Sequence, residues 1–391
     1  MSAQIGHGPA ANPAQLVVEG WRTSSHSYAL VNQHQLLCLA TDPRLSVSHV
    51  DVPFYRPHWA QLDAGFSQEA KSLLAKFSRP RESRADVIYR ISWPLRVHAG
   101  AAQRTFVFGT TEYQCLHEGS LCGPSGTAEG IDRDAVEIVT PSSWSKAGFV
   151  AAGFRAERVH VIAHGVDPAQ FRPVHGADRS RLRAALKIPA DAFVFLNVGA
   201  VTWNKGIGPL LAAFAKYCRR DSRAILILKG GDSLYGNLMD NALSEAARLN
   251  PAVMDSAVMA SLRYVPGNLS QVEMARLYQA SDAYVSPYRA EGFNLPVLEA
   301  LACGIAALVT AGGPTDDFCP DELSLRIAAS PASGQQGNYL EPDSNSLVQC
   351  MEQIAADPEF RARAAVAGPR WIADRYSWAR VSSRLADLLV S

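Results

Sequence analysis

Residues 291–314 read EGFNLPVLEALACGIAALVTAGGP, and this stretch decides the fold. Asn294 can cap a short helix, Pro296 suits a first-turn position that needs no amide donor, and Gly304 can end the helix. Residues 305–309 form an apolar run that reads as a buried strand, closed by a Gly312-Gly313-Pro314 turn. A second apolar run, Ala283–Ser286, stands ahead of the helix. The order is strand, loop, helix, strand, the repeating unit of a parallel α/β sheet. Glu291 falls in the loop, and Glu299 lies about one turn into the helix. A helix start presents free N–H groups and a positive dipole end, which suit a phosphate or a sugar hydroxyl. Each of the two carboxylates can accept a pair of hydroxyl hydrogen bonds. The competing reading is that both are solvated helix-end charges, since acidic residues favour first turns in any case.

The same unit recurs upstream. Residues 193–198 (FVFLNV) are an unbroken apolar strand, and the loop 199–206 (GAVTWNKG) leads into a helix to Tyr217. A lysine beside a glycine at such a junction brings a cation, free amides and the helix dipole to one place, which makes Lys205 and Gly206 a phosphate candidate. Lys229 ends the next strand. Gly206-Ile207-Gly208 lacks the third glycine of a dinucleotide fingerprint. Further on, 238–249 and 272–280 read as helices and Leu262–Val265 as a strand. Thr315-Asp316-Asp317 reads as a helix start, 337–340 as a strand and 345–356 as a helix.

Earlier in the chain, 15–19, 45–50, 87–92, 105–109, 136–139 and 159–162 read as strands. The segments 28–40, 62–77 and 141–154 read as helices, with Ser25 or Ser27 capping the first. A ligand in an open α/β sheet sits at strand ends, so Arg22 and His26 in the first strand–helix loop are ligand candidates, as is Trp93. Their competing reading is a solvated loop. Glu112, followed by His117 and Glu118, lies in a loop on the same edge. The polar stretch 175–183 reads as a connector, and the domain boundary falls there: 1–174, then 175–370. Asp132 and Asp134 form a D-x-D that reads as structural, and His and Cys show no zinc spacing.

Composition narrows the function classes. Lys+Arg and Asp+Glu both number 37, so the formal net charge is zero and a general basic footprint for nucleic acid is missing. The seven cysteines contain no CxxC pair, and the odd count argues against a disulfide framework. Residues 1–14 lack the basic start and apolar core of a signal peptide, and no apolar run approaches the ~20 residues of a membrane span. These features predict a cytoplasmic protein. The basic stretch 71–84 (Lys71, Lys76, Arg79, Arg81, Arg84) offers a peripheral contact with the inner face of a membrane; a solvated face is the competing reading.

The string EGF-x-LP-x-LEA-x-ACG, with seven residues between Glu291 and Glu299, resembles the donor-binding signature of retaining, family-four-type glycosyltransferases, the glycosyl transferases group 1. The resemblance is strong over 194–314, fair over 134–173, where it includes HGVDPAQFRP (164–173), and weak before residue 85. It implies a GT-B fold: two Rossmann-like, doubly wound parallel-sheet domains with a cleft between them. The first domain would bind the acceptor, through Arg22, His26 and Trp93, and the second the donor, with the C-terminal helix, 371–391, crossing back to the first domain.

The resemblance implies a retaining, metal-independent hexosyltransferase-like enzyme. It would move a sugar from a nucleotide-diphosphate sugar to a hydroxyl of a glycan or lipid-linked acceptor, in polysaccharide or cell-surface glycan biosynthesis, with no cofactor beyond that co-substrate. Lys205, Glu291 and Glu112 would be catalytic. Lys205, Gly206, Lys229, Tyr264, Val265, Glu291, Gly292, Phe293, Asn294 and Glu299 would hold the donor. The sequence departs from the pattern at Ala200, where a basic residue usually follows the first glycine, and Lys229 is the candidate replacement. That departure also motivates the alternative, a non-catalytic nucleotide-sugar-binding or assembly protein of the same fold.

Overall fold

The computed structural model describes residues 12–24, 26–56, 59, 65–77, 85–117 and 119–391. Six strands of the first half form one parallel sheet: β1 (Ala14–Gly20), β2 (Leu45–Asp51), β3 (Ala85–Ile91), β4 (Ala102–Phe108), β5 (Glu137–Thr140) and β6 (Val159–Val161). Their spatial order is β2–β1–β3–β4–β5–β6. Six strands of the second half repeat the plan: β7 (Val194–Val198), β8 (Ile225–Lys229), β9 (Leu262–Val265), β10 (Ala283–Ser286), β11 (Ala307–Thr310) and β12 (Ser324–Ile327). They run β9–β8–β7–β10–β11–β12. Two doubly wound parallel sheets are the GT-B architecture that the resemblance implies.

Burial explains the strand choice. The β8 residues ILILK are buried on both faces, as are the first four of β7, because helices cover a parallel sheet above and below. The polar residue inside β7, Asn197, is satisfied: its amide donates to the Val285 carbonyl at 2.7 Å.

In each sheet the strand order reverses once, between β1 and β3 and between β7 and β10. Loops leaving such a pair at their carboxyl ends diverge to opposite faces and leave a crevice. The second reversal puts 199–206 and 287–294 on either side of one crevice.

The C-terminal helix Trp378–Val390 packs on the first domain: Trp378, Val381, Leu385 and Leu389 join the core around Leu16, Val31 and Tyr89. The two chain crossings run side by side, with Val166 N donating to Tyr376 O (2.8 Å) and Trp378 N to Val166 O (3.2 Å). Only this final helix returns. Trp371 belongs to the preceding helix, Pro358–Arg375, and donates from Nε1 to Phe318 O at 3.0 Å in the second domain.

Several local expectations are corrected. The stretch expected as a connector contains a helix, Gly176–Ala185, whose Arg179 and Arg183 pair with Asp282; its buried contacts are ionic, so no apolar stripe announces it. The first helix, Ser27–Leu39, is capped by His26, whose Nδ1 accepts from Tyr28 N at 3.1 Å; Ser27 is already helical and Ser25 lies outside the described residues. The helix expected over 62–77 is Gln68–Leu74 in its described part, because Ser67 caps it there. Residues 315–317 sit in a single 3-10 turn, Pro314–Asp317. The strand read at 337–340 is present as Gly337–Pro342, and it pairs antiparallel with Ala329–Gly334, a strand not expected.

Asp132 caps a turn, accepting from Asp134 N (3.0 Å) and Ala135 N (3.2 Å), and Asp134 pairs with Arg155. Of the basic stretch, Lys71 and Lys76 are described; Arg79, Arg81 and Arg84 lie outside the described residues, as does Glu118. No helix among the described residues is long and apolar enough to cross a membrane.

Candidate active site

A cleft of about 670 Å³ lies between the two sheets and is lined from both. Its centre is the second reversal point. Gly206 ends the loop after β7 with φ +67°, and a Cβ there would fall 1.8 Å from the Pro287 carbonyl oxygen. The two loops therefore touch backbone to backbone at a position only glycine allows. The preceding residue, Lys205, is aimed by that contact, and its Nζ lies 2.6 Å from Glu291 Oε1. The Glu291 side chain is only 9% exposed, so this pair is shielded from bulk water on the carboxylate side.

Lys229 ends β8, in register with Val198 of β7. That register brings its ammonium to the same cleft as Ala200, beside Gly199 and Gly230. Nζ donates to the Gly230 carbonyl. Burial pushes its pKa below the usual lysine value, and Asp232 opposes the shift. A lysine from the neighbouring strand thus lines the same cleft as Ala200.

The helix Leu295–Ala302 starts at the cleft, with Pro296 in its first turn and Gly304 (φ +74°) just past its end. Asn294 occupies the cap position but does not cap. Its backbone is left-handed (φ +80°), which turns the side chain back to donate to Ser286 Oγ at 2.8 Å. Glu299 faces the cleft from this helix and accepts from Tyr278 OH at 2.6 Å. Burial raises its carboxyl to about 7, and the Tyr278 hydrogen bond opposes this.

The first domain closes the cleft from the other side. Ser142 Oγ donates to Gly292 O at 2.6 Å, and Thr110 lies so close that a Cβ on Gly292 would meet it at 2.7 Å. Phe293 stacks on Phe318 and meets His164 edge-on. Glu112 reaches across the gap: its Oε2 accepts from Asn204 Nδ2 at 3.1 Å. Burial pushes its carboxyl above the ordinary range; Lys205 opposes the shift and Glu291 adds to it.

Most predicted residues meet here: His26, Trp93, Glu112, Lys205, Lys229, Glu291, Gly292, Phe293, Asn294 and Glu299 all line the cleft. Four others lie elsewhere. Gly206 sits behind Lys205. Arg22 is taken up in a fork on Asp51 (2.9 and 2.5 Å) and in a bond to Leu74 O, because the strand end and the helix Gln68–Leu74 close over it. The Tyr264 hydroxyl donates to Asp232, and the Val265 carbonyl accepts from Gly230 N at 3.0 Å, so both brace the loop after β8 rather than face the cavity. His26 is held as a neutral cap, its pKa lowered to about 4 by burial. Sequence reasoning missed Asn204 as the partner of Glu112, Tyr278 as that of Glu299, and Ser142. Each contact joins segments at least 21 residues apart, beyond any local pattern.

The family profile "Glycosyl transferases group 1" matches residues 178–371, the second sheet and its helices. A "D-inositol 3-phosphate glycosyltransferase" of Saccharomonospora viridis is 29% identical over 236 residues, 59% of this chain and half of the relative's length. The protein of that name from Frankia alni is 30% identical over 355 residues, covering 86% of this chain and 82% of the relative. Among solved structures, Anabaena HepE, crystallised with UDP and glucose, superposes with a TM-score of 0.67 at 15% identity, covering 96% of this chain and 99% of its own. The Frankia match runs through both sheets, and the crevice built by Lys205, Glu291 and Glu299 falls inside the profile: this chain is a member of the glycosyl transferases group 1 family.

Proposed function

We propose that this chain is a retaining glycosyltransferase that moves a sugar from a nucleotide-diphosphate donor to a hydroxyl of a glycan or lipid-linked acceptor, without a metal, at the cytoplasmic side. One observation carries the reading. Two lysines from adjacent strands, Lys205 and Lys229, reach the crevice where the strand order reverses, and Glu112 faces them from the other domain. The diphosphate lies against the two lysines and the amides that open the helix Leu295–Ala302. Glu299 accepts ribose hydroxyls, and Glu291 the hydroxyls of the sugar.

Transfer breaks the bond between C1 and the phosphate oxygen, and the electron pair stays on that oxygen. Lys205 and the amides stabilise the growing charge, with fixed donors that need no reorganisation. The acceptor oxygen bonds to C1 on the same face and its proton passes to the departing phosphate. Glu112 flanks the sugar from the first domain, and His26 and Trp93 line the acceptor half. Lys229 answers the departure at Ala200, which favours this reading over a non-catalytic binding protein.

The test is calorimetric titration of UDP, GDP, TDP and ADP sugars with a chelator present, followed by turnover with glycan, lipid-linked and inositol-phosphate acceptors. One tight donor that turns over supports the proposal; no binding and no turnover refutes it. Lys229→Ala is expected to weaken donor binding by about 1–3 kcal/mol through loss of a charged partner to the diphosphate. Unchanged affinity removes Lys229 from the site.

Glu299 gives a pH prediction. Its folded-state pKa is raised to about 7, so its contribution to stability is full below the ordinary carboxylate range and is lost as pH rises through 7. The ionised form is the better hydroxyl acceptor. Donor affinity should therefore rise between about pH 6 and 8, and Glu299→Gln should flatten that rise; an identical profile in the variant excludes Glu299 as its source.

A further inference from the structure

Arg289 lies outside the cleft lining, yet several parts of the site's framework converge on it. The residue is 3% exposed. Its Nε and Nη2 form a fork on Glu341 (2.8 and 2.9 Å), and Nη2 also reaches Glu245 at 2.8 Å. Nη1 donates to Trp203 O at 3.1 Å, and the guanidinium lies 4.3 Å from the centre of the Trp203 ring. Its backbone takes part as well: Arg289 N donates to Asn204 O at 2.7 Å, and Arg289 O accepts from Leu340 N at 2.8 Å. One side chain thus ties the loop 199–206, the helix Met239–Leu249 and the hairpin strand Gly337–Pro342 to the segment that carries Glu291.

The clasp has two arms that end on the same first-domain loop. One arm runs from Arg289 to Trp203 and Asn204, and Asn204 Nδ2 holds Glu112 at 3.1 Å. The other runs through Glu341 along the hairpin strand to Asn338, whose N–H donates to Tyr113 O at 2.8 Å. Trp203 and Tyr339 meet edge-on at 5.0 Å, which links the arms midway. A buried cation between two carboxylates is a costly way to fill space, because a well-packed apolar side chain would serve stability as well. What the ions add is a fixed direction: a planar fork has one geometry.

We propose that Arg289 is a positioning residue that sets Lys205 and Glu112 in register across the cleft, acting through Asn204 on one side and the hairpin on the other. The proposal rests on the reading of Lys205 and Glu112 given above. Arg289 touches neither of those side chains, and it acts through the loops that carry them.

The test compares the parent with Arg289→Lys and with the milder Glu341→Gln, whose side chain is 44% exposed and keeps a carbonyl acceptor for the guanidinium. Amide hydrogen exchange is followed at 202–206 and 111–115, with the helix Leu295–Ala302 as internal control. Exchange should rise in both loops and stay unchanged in the helix. Turnover should fall about 100-fold in Arg289→Lys, the scale of a misplacement of about 1 Å, with donor affinity kept within about twofold. Glu341→Gln should shift both readouts in the same direction by a smaller factor. Combined with Glu112→Gln, Arg289→Lys should cost less than the product of the two single losses, since both act on one contact.

Unchanged exchange in the two loops overturns the proposal whatever the activity. Raised exchange with full turnover, or losses that multiply, also overturns it, by reducing the clasp to a structural brace. If the parent turns over no sugar nucleotide, the function proposed above fails, while exchange still decides whether Arg289 holds the two loops.

Discussion

Lys205→Ala is expected to lower turnover about 100-fold, the usual scale for removing one preorganised donor from a developing oxyanion. The lysine stands at the reversal of the second sheet, where the loop after β7 passes the loop after β10. It is held there by the 2.6 Å pair with Glu291, so its position is set before any donor arrives. A cation already fixed next to the departing phosphate costs no reorganisation in the transition state, which is why its removal should act on kcat more than on donor affinity.

The variant also leaves Glu291 without its cation. A largely buried carboxylate without a partner destabilises the fold, and that loss can pass for a catalytic one. The pair Lys205→Ala/Glu291→Gln separates them. The double variant should regain melting temperature relative to Lys205→Ala while turnover stays low. Parent-like kcat/KM in Lys205→Ala would take this lysine out of the chemistry and leave Lys229 as the cation nearest the site.

The parts legible in the sequence are those where one local rule acts alone. The apolar runs of β7 and β8, broken only by Asn197 and closed by Lys229, read as strands buried on both faces, and their alternation with helices dictates the parallel sheets. Lys205, Glu291 and Glu299 are legible because each sits at a strand end or a helix start, the places where such sheets bind ligands. What was not legible depends on distant partners. Nothing near Gly176–Ala185 shows that Arg179 and Arg183 will find Asp282, about 100 residues away. Asn294 has the right residue type and position for a cap, yet Ser286 takes its amide and a left-handed backbone directs it there. Arg22 reads as a loop cation free for a substrate until Asp51 and Leu74 close around it. The hairpin 329–342 carries few apolar residues: Leu340 enters the core, while Asn338 reaches Tyr113.

Gly206→Ala is expected to damage stability and activity together. Two costs add. The backbone at Gly206 is left-handed (φ +67°), which an alanine adopts at a cost of about 1–2 kcal/mol. The new methyl would lie 1.8 Å from the Pro287 carbonyl oxygen, a backbone atom that cannot swing aside. Relieving that overlap costs about 1–3 kcal/mol more, as for other overpacked positions. The expected total is about 2–5 kcal/mol, read as a lowered urea midpoint. To make room, the Gly206 and Pro287 backbones must part by more than 1 Å, since Cβ contacts under 3.0 Å are essentially never seen. Lys205 rides on one of those backbones and Glu291 on the other, so their 2.6 Å pair opens and turnover should fall at least as far as in Lys205→Ala. A loss no larger than the backbone cost of about 1–2 kcal/mol would mean that the two loops are not in backbone contact, and the aim given to Lys205 would need another source.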